Sequence, residues 1–546
     1  RGDGAGTSGP VSIGLMRRPP LPSVIADLLV DRRAAGALLA SGVALFAAGM
    51  DPKVMAPMAI TTQAALREKP ELEGLVLLLS VVTATFLLVG GAVGDLSRAR
   101  PVIVGGLAVS LVAGVVAVPL LGSQDLAFRL VRLTGIASAA IVMPSALAIA
   151  AVSYTGVNRA TAIGIAYAGY GLGQAVSPAL VSLIPGQPLP AFAGSIAACA
   201  LALFVVRRRI PDIPRATTPE RPLVIGTAMW STGVVLVTIG VLWFGSGWSN
   251  PLRLSVVGLG VLLIAAFAVM SRRRPPEGET VVRVERRPVA IALFVGLVIA
   301  GAQTVPASQL PLFFDVVFRF GPLLGVVALA PLFAGLVLAG PVAGFLLGRY
   351  QPRHLIAGGV VLVGIGDIAT AAIIGQGTPY LAFILPLLVV GGGFVVATTV
   401  RTAIIFASVP RGLPATAAAL NEASIEVGTR AGVVVITTML ADLAVRIYTG
   451  SQAGAPADQL GAAVDGLRSV MGALGLPTWQ SAVAAVQPAD LRSYGEAYVS
   501  ALRLVLFGGG VLGVVGGVVA WFALGRRDPL ATVYEFGEER RAGAAG

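Results

Sequence analysis

The stretch Gly91-Ala-Val-Gly-Asp95-Leu-Ser-Arg98-Ala-Arg100-Pro101 is a short charged turn between two long apolar runs. A second turn of this kind begins at Gly344 and reaches an arginine at Arg353. One offset of 253 residues superimposes three features of the two turns: the leading glycine, the arginine nine positions later, and a glycine pair at 105–106 and 358–359. An internal repeat in an apolar chain predicts two related bundles of helices.

The composition supports a membrane location for those bundles. The chain has 546 residues, of which 56% are hydrophobic and 12% are charged, and its mean hydropathy is +0.87. A water-soluble protein could not cover so much apolar surface with so few charges. The sequence therefore predicts an all-α polytopic membrane protein.

The net charge of +12 does not indicate a nucleic-acid partner. The arginines cluster at the ends of apolar runs, which is typical of topology signals and of contacts with membrane lipids. The single cysteine, Cys199, and the single histidine, His354, argue against a disulfide framework and against a zinc or haem site. We therefore expect no cofactor and no metal.

Charged residues, prolines and glycines divide the apolar runs into about fourteen predicted spans. They lie near residues 34–62, 73–94, 101–121, 124–151, 160–185, 189–206, 222–244, 252–271, 288–310, 322–347, 354–375, 379–403, 413–444 and 500–524. Alternate loops hold the arginine clusters, so both termini are predicted to lie in the cytoplasm.

The repeat offset groups these spans into domains, because Gly91 closes the second span and Gly344 closes the tenth. Two pseudo-repeated six-helix bundles are predicted at 34–206 and 288–524, and the second includes an external loop at 446–498 with a short helix near 460–474. Residues 207–287 form an inserted helix pair with cytoplasmic linkers. Residues 1–33 are expected to be a largely disordered cytoplasmic arm, and 525–546 a cytoplasmic tail.

Four segments resemble motifs of the major facilitator superfamily, specifically its fourteen-helix drug:proton antiporter branch. The opening turn is similar to GxLaDRxGRrxxl, with Gly91, Asp95 and Arg100 at matching places. The segment from Gly49 to Pro57 resembles LDxTIVNVALP, with Asp51 at the acid. The other two are similar to RxxQGxGaAxxxP, through Arg132 and Pro144, and to GxxxGPxxGG, through Gly173 and Pro178.

This resemblance implies a secondary active transporter that works by alternating access. Its expected substrates are amphipathic drug-like compounds or lipids, exported in exchange for protons. We also expect a monomer, and the near-exclusion of lysine, with only Lys53 and Lys69 present, indicates a bacterial gene and hence a bacterial plasma membrane. The sequence has no HExxH, GxSxG or Walker loop, so we expect no enzymatic activity. The alternative is a non-transporting membrane scaffold or sensor that keeps the transporter fold.

Two groups of charged residues inside the spans are candidates for proton coupling. Asp51 and Arg132 form the first, because a cation that can move away turns an acid into a proton switch; the alternative is a permanent structural ion pair. Glu422, Glu426 and Arg430 form the second, at four-residue spacing near one helix face. The alternative for this second group is an ion ladder between helices.

The remaining candidates concern conformational change and the substrate cavity. Asp95, with Gly91, Arg98 and Arg100, is predicted to form a latch that faces arginines and a helix N-terminus; the alternative is a plain topology signal. Asp367 is expected to make a structural hydrogen bond. Four further residues are predicted to line a cavity, with ordinary packing as the alternative: Tyr167, Tyr170, Gln174 and Gln303.

Overall fold

The computed structural model describes residues 21–54, 73–120, 126–182, 189–210, 229, 232–233, 236, 251–272, 286–375, 377–409, 413–452, 461–468 and 488–525, and the regular elements in these ranges are helical. Seven helices form the first half: α1 (Leu21–Val30), α2 (Arg32–Val54), α3 (Glu73–Leu96), α4 (Ala99–Ala117), α5 (Leu126–Val152), α6 (Gly156–Ser182) and α7 (Leu189–Arg209). A 3-10 turn, Val118–Leu120, extends α4.

The helix α8 (Pro251–Arg272) precedes the second half. Its described neighbour is Gly233, whose missing side chain leaves room for the Gly260 carbonyl and for Ile264. The second half comprises α9 (Arg286–Phe318), α10 (Gly321–Val327), α11 (Ala330–Leu347), α12 (Pro352–Ile373), α13 (Ile384–Ser408), α14 (Pro414–Ser451) and α15 (Pro488–Leu524). A 3-10 turn, Tyr380–Phe383, leads into α13.

The two halves repeat the same helix pairings, as the offset of 253 residues predicts. In the first half α2 packs against α6, and α4 packs against α5 and α7. In the second half α9 packs against α14, and α12 packs against α13 and α15. Each pairing of the second set is the counterpart of one in the first, so the repeat read from the turns extends to the packing of whole helices.

The halves meet along two equivalent helix pairs, α3 with α14 and α11 with α6. Gly91 makes the first contact possible, because an added Cβ there would lie 2.5 Å from the Ala419 Cβ. Gly344 makes the second, because an added Cβ would overlap the backbone of Thr161. The repeated glycine is therefore the residue that lets the opposite half approach.

Eight helices in the described part of the chain are long and apolar enough to cross a membrane. Helices also lie at thirteen of the fourteen predicted spans, while the predicted span at 222–244 falls almost entirely outside the described residues. The count of fourteen membrane crossings therefore stays a prediction.

Two predicted boundaries are wrong. Residues 21–30 are not part of a disordered arm: they form α1, because Leu28 is buried in the core and its carbonyl accepts a 2.9 Å hydrogen bond from the Tyr154 hydroxyl. The last helix begins at Pro488 rather than near residue 500. Its extra turns are held by a packed group around Tyr448 and Tyr494, whose rings lie 5.0 Å apart.

The external loop predicted at 446–498 is therefore partly helical. Residues 461–468 form a helix within the predicted 460–474 segment. The carbonyl of Ala463 in this helix accepts a 2.5 Å hydrogen bond from the Tyr494 hydroxyl. At about 1.5 Å per residue, α14 and α15 are each longer than the roughly 30 Å that a bilayer core requires, so their facing ends extend beyond it.

Candidate functional site

The largest side chain among those almost completely buried belongs to Arg401 in α13, which is 0% exposed. Its Nη1 donates to Ser424 Oγ at 2.6 Å and to the Ala292 carbonyl at 3.3 Å, and its Nη2 donates to the Asn421 carbonyl at 3.2 Å. These contacts join α13 to α9 and α14. A buried guanidinium requires such partners, because an unpaired charge in an apolar interior is costly.

The sequence analysis did not select Arg401, although an arginine within an apolar run was a usable signal. The predicted span ends at residue 403, two residues beyond Arg401, whereas α13 continues to Ser408. Seven further residues correspond to about 10 Å of helix, so Arg401 lies well inside the span. Gly296 of α9 provides the room, since an added Cβ there would overlap the guanidinium.

Beside Arg401, four polar side chains form a hydrogen-bonded group that includes both halves of the molecule. The Tyr167 hydroxyl of α6 donates to the Glu422 carboxyl of α14. The Asn421 Nδ2 donates to the Tyr167 hydroxyl at 2.7 Å and to Glu422 Oε1 at 2.9 Å. The Tyr167 hydroxyl also lies 3.2 Å from the Thr402 Oγ1 of α13. With Arg401 and Ser424, these residues are called the central polar cluster below.

The central polar cluster can accommodate Glu422 with or without a proton. When Glu422 is ionised, Tyr167 donates to it and Arg401 supplies a nearby positive charge. When Glu422 is protonated, the chain of donors can reverse: Glu422 donates to Tyr167, Tyr167 to Thr402, and Thr402 to the Thr398 carbonyl at 2.7 Å. The hydroxyls of Tyr167 and Thr402 both keep a partner in either state, so a proton can be taken up without breaking the cluster.

Of the two proton-coupling groups expected from the sequence, only part can be located. Glu422 is 5% exposed and belongs to the central polar cluster, while Glu426 is half-buried one turn further along α14. The backbones of Asp51, Arg132 and Arg430 lie in α2, α5 and α14, but their side chains are outside the described part of the structure. The proposed pairings of these three residues stay predictions.

The turn that opened the sequence analysis connects the two halves through Asp95. Its Oδ1 accepts a 2.8 Å hydrogen bond from the Ala415 N–H, and its Oδ2 accepts a 2.7 Å bond from the Thr416 N–H. The N-cap residue of α14, Leu413, has no side chain that could cap the helix. Asp95 therefore caps α14 from the other half.

The surroundings of Asp95 perturb its ionisation. Burial raises the pKa of this carboxyl from 3.8 to about 6, and the hydrogen bonds from Thr416 and Ala415 partly oppose that rise. Asp95 follows the predicted span that ends at residue 94. Its carboxyl therefore lies at the end of the membrane-crossing segment, next to a helix N-terminus.

The other predicted latch residues have different contacts. Gly91 packs against α14, as described above. The Arg100 Nη2 donates to the Arg207 carbonyl at 2.7 Å, which ties α4 to the end of α7 within the first half. Arg98 is exposed and lines an open cavity with Arg100 and Arg207. Asp95 thus joins the halves, while Arg100 stabilises one of them.

The helix α6 motif has a packing role. An added Cβ at Gly173 would overlap the Phe46 carbonyl, so this glycine lets α6 approach α2. Pro178 lies in α6, and its side chain is outside the described part of the structure. Of the four predicted cavity residues, Tyr167 belongs to the central polar cluster, whereas Tyr170, Gln174 and Gln303 are half-buried and their cavity role stays a prediction.

Comparisons with known proteins agree with this architecture. The family model described as Major Facilitator Superfamily matches residues 37–433. The puromycin resistance protein pur8 of Streptomyces alboniger is 31% identical over 375 residues, which cover 65% of this chain and 71% of that protein. Within the described residues, no group of three or more His, Cys, Asp or Glu side chains is arranged to hold a metal ion.

Solved structures show a similar fold. A double tryptophan mutant of XylE superimposes with a TM-score of 0.54 at 12% identity, covering 93% of this chain and 98% of its own. The human organic anion transporter MFSD10 gives a TM-score of 0.51 at 13% identity, covering 88% and 99%. At these identities the likeness concerns the fold alone.

Proposed function

Because the chain belongs to the Major Facilitator Superfamily, we propose that it is a proton-coupled exporter of amphipathic small molecules, either drug-like compounds or lipids. The observation that carries the proposal is the hydrogen bond between Tyr167 of one half and Glu422 of the other. A protonatable group placed between two moving halves can link proton binding to their movement.

In the proposed cycle, Glu422 is the group that takes up the proton. Ionised Glu422 is stabilised by Tyr167, Asn421 and the nearby charge of Arg401. Protonation removes the negative charge that balances Arg401, which weakens the attraction between α13 and α14 and changes the direction of the bond to Tyr167. A lipophilic cation attracted to Glu422, Glu426 or Asp51 would compete with the proton, so uptake of one favours release of the other.

The Asp95 contact supplies the second element of the cycle. Ala415 and Thr416 precede Glu422 by six or seven residues on α14, which corresponds to about 10 Å of continuous helix. A shift of α14 at the central polar cluster would therefore be transmitted to its N-terminus, where Asp95 closes the gap between the halves. Here the latch acts as the gate on the predicted cytoplasmic side of a bacterial plasma membrane.

Proteoliposomes with an imposed pH gradient test the proposal, with ethidium as a lipophilic cation probe. We expect gradient-driven ethidium movement that is lost in Glu422→Gln and reduced in Asp51→Asn or Glu426→Gln. Asp442→Asn is the matched control, because Asp442 is an exposed acid on the same helix. Ethidium movement that does not depend on the pH gradient would exclude proton coupling.

Puromycin offers a test in cells, because the Streptomyces relative carries the name of a puromycin resistance protein. We expect expression of this chain to lower puromycin susceptibility, and Glu422→Gln to remove the protection. If the protein transports neither puromycin nor ethidium, and neutralising Glu422, Asp51 and Glu426 has no effect, the scaffold or sensor alternative is favoured.

A further inference from the structure

The helix α12 buries a carboxyl that the central polar cluster does not use. Asp367 is 0% exposed, and neither of its carboxyl oxygens has a hydrogen-bond partner in the described part of the protein. The structural hydrogen bond expected from the sequence is therefore absent among the described residues. Thr370, one turn further along, satisfies its own hydroxyl by donating to the Gly366 carbonyl at 2.8 Å.

The surroundings of Asp367 are apolar and contain a glycine-rich helix contact. An added Cβ at Gly509 of α15 would lie 3.8 Å from Asp367 Oδ2 and 2.8 Å from Val305 Cγ2 of α9. One turn away, an added Cβ at Gly364 would lie 2.5 Å from the Gly510 carbonyl. The carboxyl thus lies between three helices, where α12 and α15 touch through their backbones.

The charged and titratable groups on the neighbouring helices lie at other levels. On α15, Arg503 and Tyr498 precede Gly509 by about 9 and 16 Å of helix, and on α9 Asp315 follows Val305 by about 15 Å. Arg503 donates to the Ile374 carbonyl at 2.8 Å. On α13, Arg401 is directed toward α9 and α14.

Among the described residues, the remaining neighbours add no charged group near Asp367; the 3-10 turn beside α12 carries Tyr380, whose hydroxyl donates to the Ala328 carbonyl at 3.1 Å. No residue of α11 is titratable between positions 330 and 347. On α12 itself, Arg353 and His354 precede Asp367 by about 20 Å of helix. An isolated carboxylate in so apolar a place is far less stable than the neutral acid, so Asp367 holds a proton in this arrangement.

We propose that Asp367 is a second proton-binding site of the transport cycle, which carries a proton in the arrangement described here and releases it when α15 moves relative to α12. The inference rests on the proposed transport function. An ionisable residue is costly inside a membrane, and an apolar side chain would pack here at lower cost. Backbone contact through Gly364 and Gly510 lets the two helices shift without rearranging interlocked side chains.

Two proton sites change the electrical balance of transport. If Glu422 alone exchanges one proton for one monovalent cation, the cycle moves no net charge. If Asp367 carries a second proton inward, each cycle moves one positive charge inward. Export of a monovalent cation would then be driven by the membrane potential as well as by the pH gradient.

Infrared spectroscopy of the purified protein in lipid nanodiscs tests the site without any substrate. With isotope-labelled aspartate, we expect a neutral aspartic acid band at neutral pH that shifts in D2O because the proton exchanges. The band should vanish in Asp367→Asn and persist in Asp442→Asn. If Asp367→Asn fails to fold, Asp367→Glu gives a second assignment. The acid at this position is then an unlabelled glutamate, so the labelled aspartic acid band should vanish there too. Absence of the band, or a band that D2O leaves unchanged, overturns the proposal.

Transport supplies the functional measurement. In proteoliposomes, an imposed potential should accelerate gradient-driven ethidium movement by wild type but not by Asp367→Asn, which keeps the pH dependence provided by Glu422. If Asp367→Asn retains the full response to potential, Asp367 is not a coupling site. That result would leave the Glu422 proposal intact. If wild type shows no gradient-driven ethidium movement at all, the Glu422 proposal is contradicted, but the infrared result for Asp367 is unaffected.

Discussion

Asp95 Oδ2 accepts a 2.7 Å hydrogen bond from the backbone N–H of Thr416, although 321 positions separate the two residues. The bond matters because helix α14 begins without a capping side chain of its own. Two of its N-terminal N–H groups have Asp95 as their hydrogen-bond acceptor only when the two halves are closed on this side. The closed arrangement therefore satisfies a helix terminus that opening would expose to water.

Asp95→Ala should weaken closure and slow transport. The substitution leaves the Ala415 and Thr416 N–H groups without acceptors in the closed arrangement, at a cost of about 1–3 kcal/mol each. A transport rate at least about tenfold lower is expected. Arg349→Gln and Arg353→Gln are the controls from the second copy of the turn, which has no acid; if they slow transport equally, Asp95 has no special role.

Closure should also depend on pH through Asp95. The pKa of its carboxyl is about 6 in the closed arrangement and returns toward 3.8 when the carboxyl meets water, so closed molecules bind the proton more tightly. Lowering the pH from 7.5 to about 4 should therefore favour closure by about 2.4 kcal/mol. Single-molecule fluorescence between labels on the two halves measures this change.

Asp95→Asn tests the origin of that pH dependence. An amide cannot ionise, so the part of the pH response that Asp95 contributes should be lost, and the fraction of closed molecules should change less between pH 7.5 and 4 than in wild type. Transport should also slow, because the amide never gains the charge that favours opening. A pH response of unchanged size in Asp95→Asn would assign the whole response to other groups.

Tyr167→Phe should reduce gradient-driven transport by about 10- to 100-fold, since a buried carboxyl loses a donor worth about 1–3 kcal/mol. Tyr350→Phe is the control, because Tyr350 is an exposed tyrosine outside the central polar cluster. The reduction should appear in the response to pH rather than in the thermal stability of the folded protein. Equal effects of both substitutions would argue against the bridging role of Tyr167.

Gly296→Ala should destabilise the second half, because the added methyl group would displace the guanidinium of Arg401. Disturbing a buried, hydrogen-bonded charge costs about 3–5 kcal/mol. Thermal denaturation in detergent measures the loss, and Arg401→Gln should reproduce it. Gly42→Ala is the control, since nothing lies within 4 Å of the added Cβ at that position.

The two glycines of each repeated pair should respond differently to substitution by alanine. An added Cβ at Gly106 would lie 2.5 Å from Val142 Cγ2, and one at Gly359 would lie 2.7 Å from the Gly393 carbonyl, whereas Gly105 and Gly358 face open space. We expect Gly106→Ala and Gly359→Ala to cost about 1–3 kcal/mol by overpacking. Gly105→Ala and Gly358→Ala should be neutral or slightly stabilising in a thermal denaturation assay. The reverse order would show that the repeat does not reflect packing.

The sequence alone determined the helical membrane class and the twofold repeat. Apolar runs about 20 residues long, interrupted by charged turns, have few other stable solutions in a bilayer, and the offset of 253 residues marks which helices correspond. It also selected Asp95 and Glu422 as candidates, because a charged residue in or beside an apolar run is costly in a membrane and indicates a partner or a role. Helix ends are harder to predict, and the span predicted to end at residue 403 did not mark Arg401 as a buried charge.

Only the tertiary structure decided which partners these residues have. Tyr167 and Glu422 are 255 positions apart, and Asp95 and Ala415 are 320 apart, so no local pattern connects them. Their contacts arise because Gly91 and Gly344 let helices of opposite halves approach closely. Conversely, the sequence predicts a structural hydrogen bond for Asp367, and its packing near Gly509 and Val305 gives it none within the described part of the protein. Local sequence sets which residues are buried in a helix, whereas the distance between backbones sets which of them meet.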